Sequence, residues 1–302
     1  MDPLDGFRGC LLGLAVGDAV GTTAEFKPRG TFEPVRDLTG GGPFGLAPGQ
    51  WTDDTAMALC LATSLVERDG FDAGDQMDRY SLWARSGYLS CTGTSFDIGN
   101  TVAAALAVFR LTGNPFAGST EPDTAGNGSL MRLAPVPMFW HPDLDEAERQ
   151  AAASSRTTHG ATECVDACRL LARIVGRALQ GRDKREVLRG DAASFAGAPK
   201  LVAIARGEYE DRPAADIRGT GYVVACLEAA LWCFARTDSF ESAVLAAANL
   251  GDDADTTAAV CGQVAGAHYG ASGIPGAWLE RLAMRAEITA LADRLLRAKR
   301  PE

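Results

Sequence analysis

The feature that most limits what this chain can become is the spacing of its apolar residues, which recur every three or four positions almost from end to end. Leu4, Phe7, Leu11 and Leu14 form the first stripe, and Met57, Leu61 and Leu65 the second. Ile98, Val102, Leu106 and Phe109 follow, then Cys164, Cys168, Leu171, Val175 and Leu179. Val224, Leu227, Leu231 and Phe234 precede Val260, Val264 and Ala267, and Leu279, Leu282, Ile288, Leu291 and Leu295 close the series. Each stripe predicts a helix with one buried face, whereas the alternating runs of a β-strand are nearly absent. The expected fold class is all-α. One compact multi-helix domain over residues 1–302 suits the length, and no repeat of solenoid period interrupts it.

Charge and cysteine usage narrow the partners. A formal net charge of −10 with no basic patch repels phosphate backbones and anionic lipid, so neither nucleic acid nor a membrane is expected. The start, Met1 to Asp5, lacks the positive charge and apolar core of a secretory signal. Cys10 to Val16, the longest early apolar run, is broken by Gly13 and falls far short of the roughly 18 residues a membrane helix needs. Cys60, Cys164, Cys168, Cys226, Cys233 and Cys261 sit among apolar residues with no Cys-x-x-Cys pair, the pattern of buried free thiols in a reducing cytoplasm. A cytoplasmic monomer is the expectation.

Three stretches rich in Gly, Pro, Ser and Thr (residues 39–50, 87–95 and 112–128) interrupt the helices, and each ends where a polar cluster begins. The first leads into Trp51-Thr52-Asp53-Asp54-Thr55. A near copy of that design, Gly251-Asp252-Asp253-Ala254-Asp255-Thr256, opens the helix of Val260. Asp and Thr are ordinary helix caps, but a cap uses one side chain, and neighbouring residues point about 100° apart around a helix. Both following helices are small and apolar, which places the acidic ends near the core, where unpaired carboxylates cost several kcal/mol each. With no Lys or Arg beside either cluster, two dications are the natural countercharge for Asp53, Asp54, Asp253 and Asp255. The donors are hard oxygens, the Thr52 and Thr256 hydroxyls included, which selects Mg²⁺ or Mn²⁺ over Zn²⁺. Spacing alone leaves capping with surface ion pairs as an open alternative.

The chain resembles the ADP-ribosylglycohydrolases, most closely the dinitrogenase reductase-activating glycohydrolase branch. The likeness runs from Gly13-Leu14-Ala15-Val16-Gly17-Asp18-Ala19 and Glu25-Phe26 through Trp51 to Thr55, Phe96-Asp97-Ile98-Gly99-Asn100-Thr101 and Gly126 to Arg132. Thr158-His159, Gly219-Thr220-Gly221-Tyr222-Val223 and Gly251 to Thr256 complete it. Single segments are weak signals, and the ordered set is specific. The resemblance implies an all-α fold and a binuclear Mg²⁺ or Mn²⁺ centre gripping the distal ribose of ADP-ribose. Thr52, Asp53, Asp54, Asp253, Asp255 and Thr256 become the metal ligands by position, with Asp252 a neighbour or cap.

It further implies a metal-dependent hydrolase that releases ADP-ribose from an ADP-ribosylated protein, with N-glycosidic arginine as the expected linkage. Glu25 matches a glutamate near the metals and is the candidate general base or water positioner, against a plain helix-end carboxylate. Asp97, whose simple reading is the N-cap of a helix from Ile98, lies by the leaving group in the arginine-directed branch, and Asn100 would face the same cavity. Gly126-Asn127-Gly128-Ser129 resembles a backbone cradle for a diphosphate followed by a helix start, with Arg132 structural. His159 matches a residue near the phosphates, and Tyr222 is offered as an adenine stacking face. Serine linkages or free ADP-ribose derivatives are alternative substrates. A magnesium-dependent diphosphate lyase is a weaker alternative, because neither cluster reads Asp-Asp-x-x-Asp and aromatic content is 7%. Retention of Glu25, Asp97 and six ligands argues against a non-catalytic relative.

Overall fold

Helices account for the regular structure of residues 2–298, the span that the computed structural model describes; the outermost positions of the expected 1–302 domain lie outside it. In chain order they are α1 (Pro3–Gly21), α2 (Asp53–Arg68), α3 (Ala73–Ser86), α4 (Asn100–Thr112), α5 (Pro135–Phe139), α6 (Leu144–Arg156) and α7 (Thr162–Leu179). After them come α8 (Lys184–Arg189), α9 (Pro199–Ala205), α10 (Val223–Ala235), α11 (Phe240–Ala248), α12 (Ala254–Tyr269), α13 (Gly276–Arg281) and α14 (Arg285–Arg297). Among the described residues β-pairing is limited to isolated bridges, one of which joins Gly126 to Tyr222.

Each apolar stripe falls on a helix, with two corrections. Ile98 lies in the turn before α4, whose N-cap is Gly99. The last stripe is two helices rather than one, because Met284 takes a left-handed backbone (φ 55°) and separates α13 from α14. The stripes pass over α3 and α6, where polar residues outnumber apolar ones and the buried faces hold residues such as Gln76 and Gln150. Side-chain caps from Asp72 and Asp143 start those two helices.

The centre of the fold is a seam between α1 and α12. Gly9, Gly13, Gly17 and Gly21 recur at every fourth position of α1, so they line one face. A Cβ on Gly17 would lie 2.2 Å from the Ala258 carbonyl oxygen, and one on Gly13 would lie 2.4 Å from that of Gly262. Backbone therefore rests on backbone. Glycine in a helix costs about 0.5–1 kcal/mol relative to alanine, a cost offset here by contacts that no larger residue permits. The helices run antiparallel, Gly9 against Gly266 and Gly21 against Ala254. The exit of α1 thus meets the entrance of α12.

The loops beyond that junction pair both ways: Phe26 N donates to Asp252 O (2.7 Å) and Asp252 N donates to Lys27 O (2.8 Å). Helices α7, α10, α11 and α14 pack around the pair, and α2 approaches α1. One continuous hydrophobic core results. The eight cysteines are free thiols, seven buried and Cys91 half-buried, and among the described residues no helix is long and apolar enough to cross a membrane.

Candidate active site

Helix ends deliver the acidic groups. The exit of α1 carries Glu25, the entrance of α2 carries Thr52, Asp53 and Asp54, and the entrance of α12 carries Asp253, Asp255 and Thr256. The two clusters meet, each threonine against the other cluster's aspartate. Thr52 Oγ1 lies 3.4 Å from Asp255 Oδ2 and Thr256 Oγ1 3.4 Å from Asp54 Oδ1, across 203 and 202 positions of sequence.

Neither cluster is occupied with capping. Thr52 and Asp253, the N-cap residues of α2 and α12, make no side-chain cap bond. For α2 the cap comes from another helix: Asp18 of α1 accepts from Thr52 N (2.9 Å), Thr52 Oγ1 (3.0 Å), Thr55 N (3.0 Å) and Thr55 Oγ1 (2.6 Å). Fully buried Asp18 is the site residue that sequence reading missed. Its signal was there: a lone charge inside the apolar run from Leu11 to Val20.

The remaining wall is loop. Asp97 is not a helix cap, because α4 begins at Asn100; it sits at φ 60°, a left-handed backbone that holds its carboxylate beside Glu25. Single carboxylate oxygens of Glu25, Asp97 and Asp255 all lie within 4.8 Å of one another. Phe26 (φ 59°) and Asp252 (φ 54°) are also left-handed, so strained backbone gathers around this cavity. Asn127 Nδ2 donates to Asp253 Oδ2 (2.8 Å), tying the Gly126–Gly128 turn to the second cluster. The cavity holds about 450 Å³, and its lining contains no Lys or Arg.

That imbalance shows in the acids. Burial first, then neighbouring like charges, pushes the Glu25 carboxyl up to about 9. Burial likewise raises Asp97 to about 7, and Asp18 to about 6 despite its four donors. Asp53, Asp54 and Asp255 are all held well above the ordinary carboxylate range, again by burial and then by neighbouring carboxylates, led by Asp97 for Asp53, Asp18 for Asp54 and Asp253 for Asp255. Asp54 Oδ2 and Asp255 Oδ1 are buried without any hydrogen-bond partner. Hard oxygen donors with free lone pairs and no countercharge fit a divalent cation.

Among the residues singled out in the sequence, Glu25, Asp53, Asp54, Asp97, Asn100, Gly126, Asn127, Gly128, His159, Asp253, Asp255 and Thr256 line the cavity. Thr52 stands behind them, on Asp18 and Asp255. Ser129 is turned away: its hydroxyl pairs with Ser155 (2.9 Å) and takes the Cys168 thiol (3.4 Å). No helix starts there, since α5 begins only at Pro135. Tyr222 also points elsewhere, its hydroxyl donating to Glu163 (2.5 Å) and accepting from Lys200 (2.7 Å), with the Lys200 ammonium 5.0 Å from its ring. Period and spacing do not say on which side of a loop a side chain leaves. Exposed Phe26 at the cavity rim was quoted in the sequence but given no role.

An all-α array that brings buried acids from both ends of the chain to one cavity is the setting for the comparisons with known proteins. The chain belongs to the ADP-ribosylglycohydrolase family, whose model matches residues 1–302. It is 47% identical over 292 residues to the ADP-ribosylarginine hydrolase Tri1 of Pseudomonas putida (strain GB-1), covering 97% of this chain and 78% of the relative. The Tri1 hydrolase of Serratia proteamaculans (strain 568) is 42% identical, with 97% and 80% covered. The ADP-ribosyl-(dinitrogen reductase) glycohydrolase of Rhodospirillum rubrum is 35% identical, with 92% and 90% covered. A solved structure described as an ADP-ribosylglycohydrolase-related protein complex superposes with a TM-score of 0.86 at 45% identity, over 98% of this chain and 99% of the other.

Proposed function

We propose that this chain is a divalent-cation-dependent hydrolase that removes ADP-ribose from modified arginine side chains of proteins. The observation that carries the reading is the cluster of buried carboxylates without countercharge, in a family member 47% identical to an ADP-ribosylarginine hydrolase. Two Mg²⁺ or Mn²⁺ ions held by Thr52, Asp53, Asp54, Asp253, Asp255 and Thr256 supply, when bound, the missing countercharge and hard contacts for vicinal ribose hydroxyls.

The chain's own groups handle the water and the leaving group. Glu25, anchored by the Thr22 hydroxyl at 3.3 Å and lying beside Asp97, holds a water and takes its proton as the water oxygen bonds to ribose C1. The C1–N bond breaks with its electron pair on the guanidino nitrogen, which departs as neutral guanidine and picks up the released proton. Asp97 faces the N–H groups of that guanidine. Asn100, the Gly126–Gly128 turn with Asn127, and His159 bound the space left for the rest of ADP-ribose. We read the chain as one catalytic domain and a cytoplasmic monomer with no nucleic-acid or membrane partner, in keeping with its free thiols and negative charge.

The test supplies arginine- and serine-ADP-ribosylated proteins, with and without EDTA, and follows free ADP-ribose. Arginine-linked substrate is expected to turn over, EDTA to stop it, and Mg²⁺ or Mn²⁺ to restore it. Turnover of the serine linkage alone, or full activity in EDTA, overturns the reading.

A further inference from the structure

We propose that His159 serves the cavity as a fixed, neutral Nε2–H donor, its tautomer dictated from behind by Arg132 through the Thr158 hydroxyl. The argument begins with the buried cation. Arg132 is fully buried, and no carboxylate among the described residues pairs with it. Its guanidinium lies 4.4 Å from the centre of the Tyr80 ring, and Nη2 donates to Thr158 Oγ1 at 2.7 Å. A guanidinium only donates, so the Thr158 oxygen must accept. The one hydrogen on that oxygen then needs an acceptor of its own. Thr158 is fully buried, and the remaining partner of its hydroxyl is His159 Nδ1, at 2.8 Å.

Nδ1 therefore accepts, and the ring proton of neutral His159 resides on Nε2. The opposite tautomer would leave the Thr158 hydrogen buried without a partner. The backbone fixes the ring's base: His159 N donates to Ser155 O (2.7 Å), and Ser155 Oγ donates to His159 O (2.9 Å). The far edge of the ring lies against the Gly126–Gly128 turn at the cavity wall, where a Cβ on Gly128 would sit 2.8 Å from Cε1 and 3.2 Å from Nε2. Burial and then the charge of Arg132 hold the imidazole pKa down to about 3, which agrees with a neutral ring. His159 thus presents a donor to an oxygen acceptor and takes no part in proton transfer. Arg132 and Thr158 are positioning residues.

That the acceptor is an oxygen of ADP-ribose rests on the function proposed above; the tautomer does not. With three histidines in the chain, long-range ¹H–¹⁵N imidazole spectra resolve the ring directly. The ligand-free protein is expected to show His159 neutral with hydrogen on Nε2 between pH 5.5 and 8. Thr158→Val should shift the ring toward mixed tautomers and weaken ADP-ribose binding by about tenfold, the worth of one hydrogen bond, while Thr158→Ser restores both. An Nδ1–H or doubly protonated ring in the unmodified protein overturns the proposal, and that spectrum decides even if the valine variant fails to fold. A valine variant with unchanged tautomer and affinity also overturns it. The expected tautomer without any ADP-ribose binding supports the relay and sinks the proposed ligand.

Discussion

Two regions of this molecule bury charge, and they do it in opposite ways. Along α6 and α7, Arg169, Arg173 and Arg177 interleave with Asp145, Glu148, Asp166 and Asp191. Arg173 alone bridges Asp145 (2.7 Å), Glu148 (2.9 Å) and Asp191 (2.7 Å), while buried Arg177 pairs with buried Asp191. At the cavity, Glu25, Asp53, Asp54, Asp97, Asp253 and Asp255 converge with no Lys or Arg on the wall, and Asp18 lies buried behind them on Thr52 and Thr55. The first arrangement sets each acid against an arginine of the same network, although Arg177 Nη1 and Asp191 Oδ2 are left without hydrogen-bond partners. The second is stable as charge only when a cation completes it, so the fold reserves its unpaid electrostatic work for the place where ligands bind.

The largest expected effect separates activity from stability. Asp255→Asn should lower ADP-ribose release by about a thousandfold or more, a loss of some 4 kcal/mol in transition-state stabilisation, while raising the melting temperature of the EDTA-treated protein. A variant less stable than the parent in EDTA would break the contrast, because it would mean that the acidic cluster supports the fold unaided. The converse holds at the paired network. Asp191→Ala leaves the Arg177 guanidinium buried alone and should cost about 3–5 kcal/mol in denaturant unfolding, with kcat unchanged in the folded fraction. A parallel fall in kcat would show that the two regions are coupled.

The smallest effect is a slope. Groups whose folded pKa is raised bind more protons in the native state than in the unfolded chain, so stability falls as pH rises from the ordinary carboxylate value toward the folded value. With Asp97 near 7 and Glu25 near 9, the EDTA-treated protein should lose melting temperature between about pH 5 and 8. Saturating Mg²⁺ or Mn²⁺ should flatten that slope. Paired acids such as Asp37, held down to about 2 by Arg281, lose their contribution only at much lower pH and leave this window clear. A melting temperature that climbs across pH 5 to 8 in EDTA would contradict the assignment.

What the sequence disclosed follows the same division. The helices with apolar stripes were legible because burying one face is a periodic demand, and the two acidic clusters were legible because a Thr and several Asp at an apolar helix start exceed what capping uses. Asp18 was hidden because its partners, Thr52 and Thr55, are distant in sequence and two of its four bonds are to backbone. Asp97 shows the limit of spacing alone, which offers a cap as its plain reading and leaves its place by the leaving group to the resemblance, because a left-handed non-glycine residue leaves no mark in composition. Tyr222 and Ser129 sit in the right segments, yet Glu163 and Lys200 engage the Tyr222 hydroxyl and Ser155 that of Ser129, so neither side chain lines the cavity.

The glycine seam sets a limit on how this catalyst can evolve. Side chains that mesh can trade volume with their neighbours over successive mutations, but peptide planes in contact have nothing to trade. Sliding α1 one residue along α12 would carry Asp18 and Glu25 some 1.5 Å and swing the helix face about 100°. The spacing between the clustered carboxylates is therefore inherited from main-chain geometry, and adaptation is steered to the rim, where exposed Phe26 and the flanking loops can vary without disturbing it.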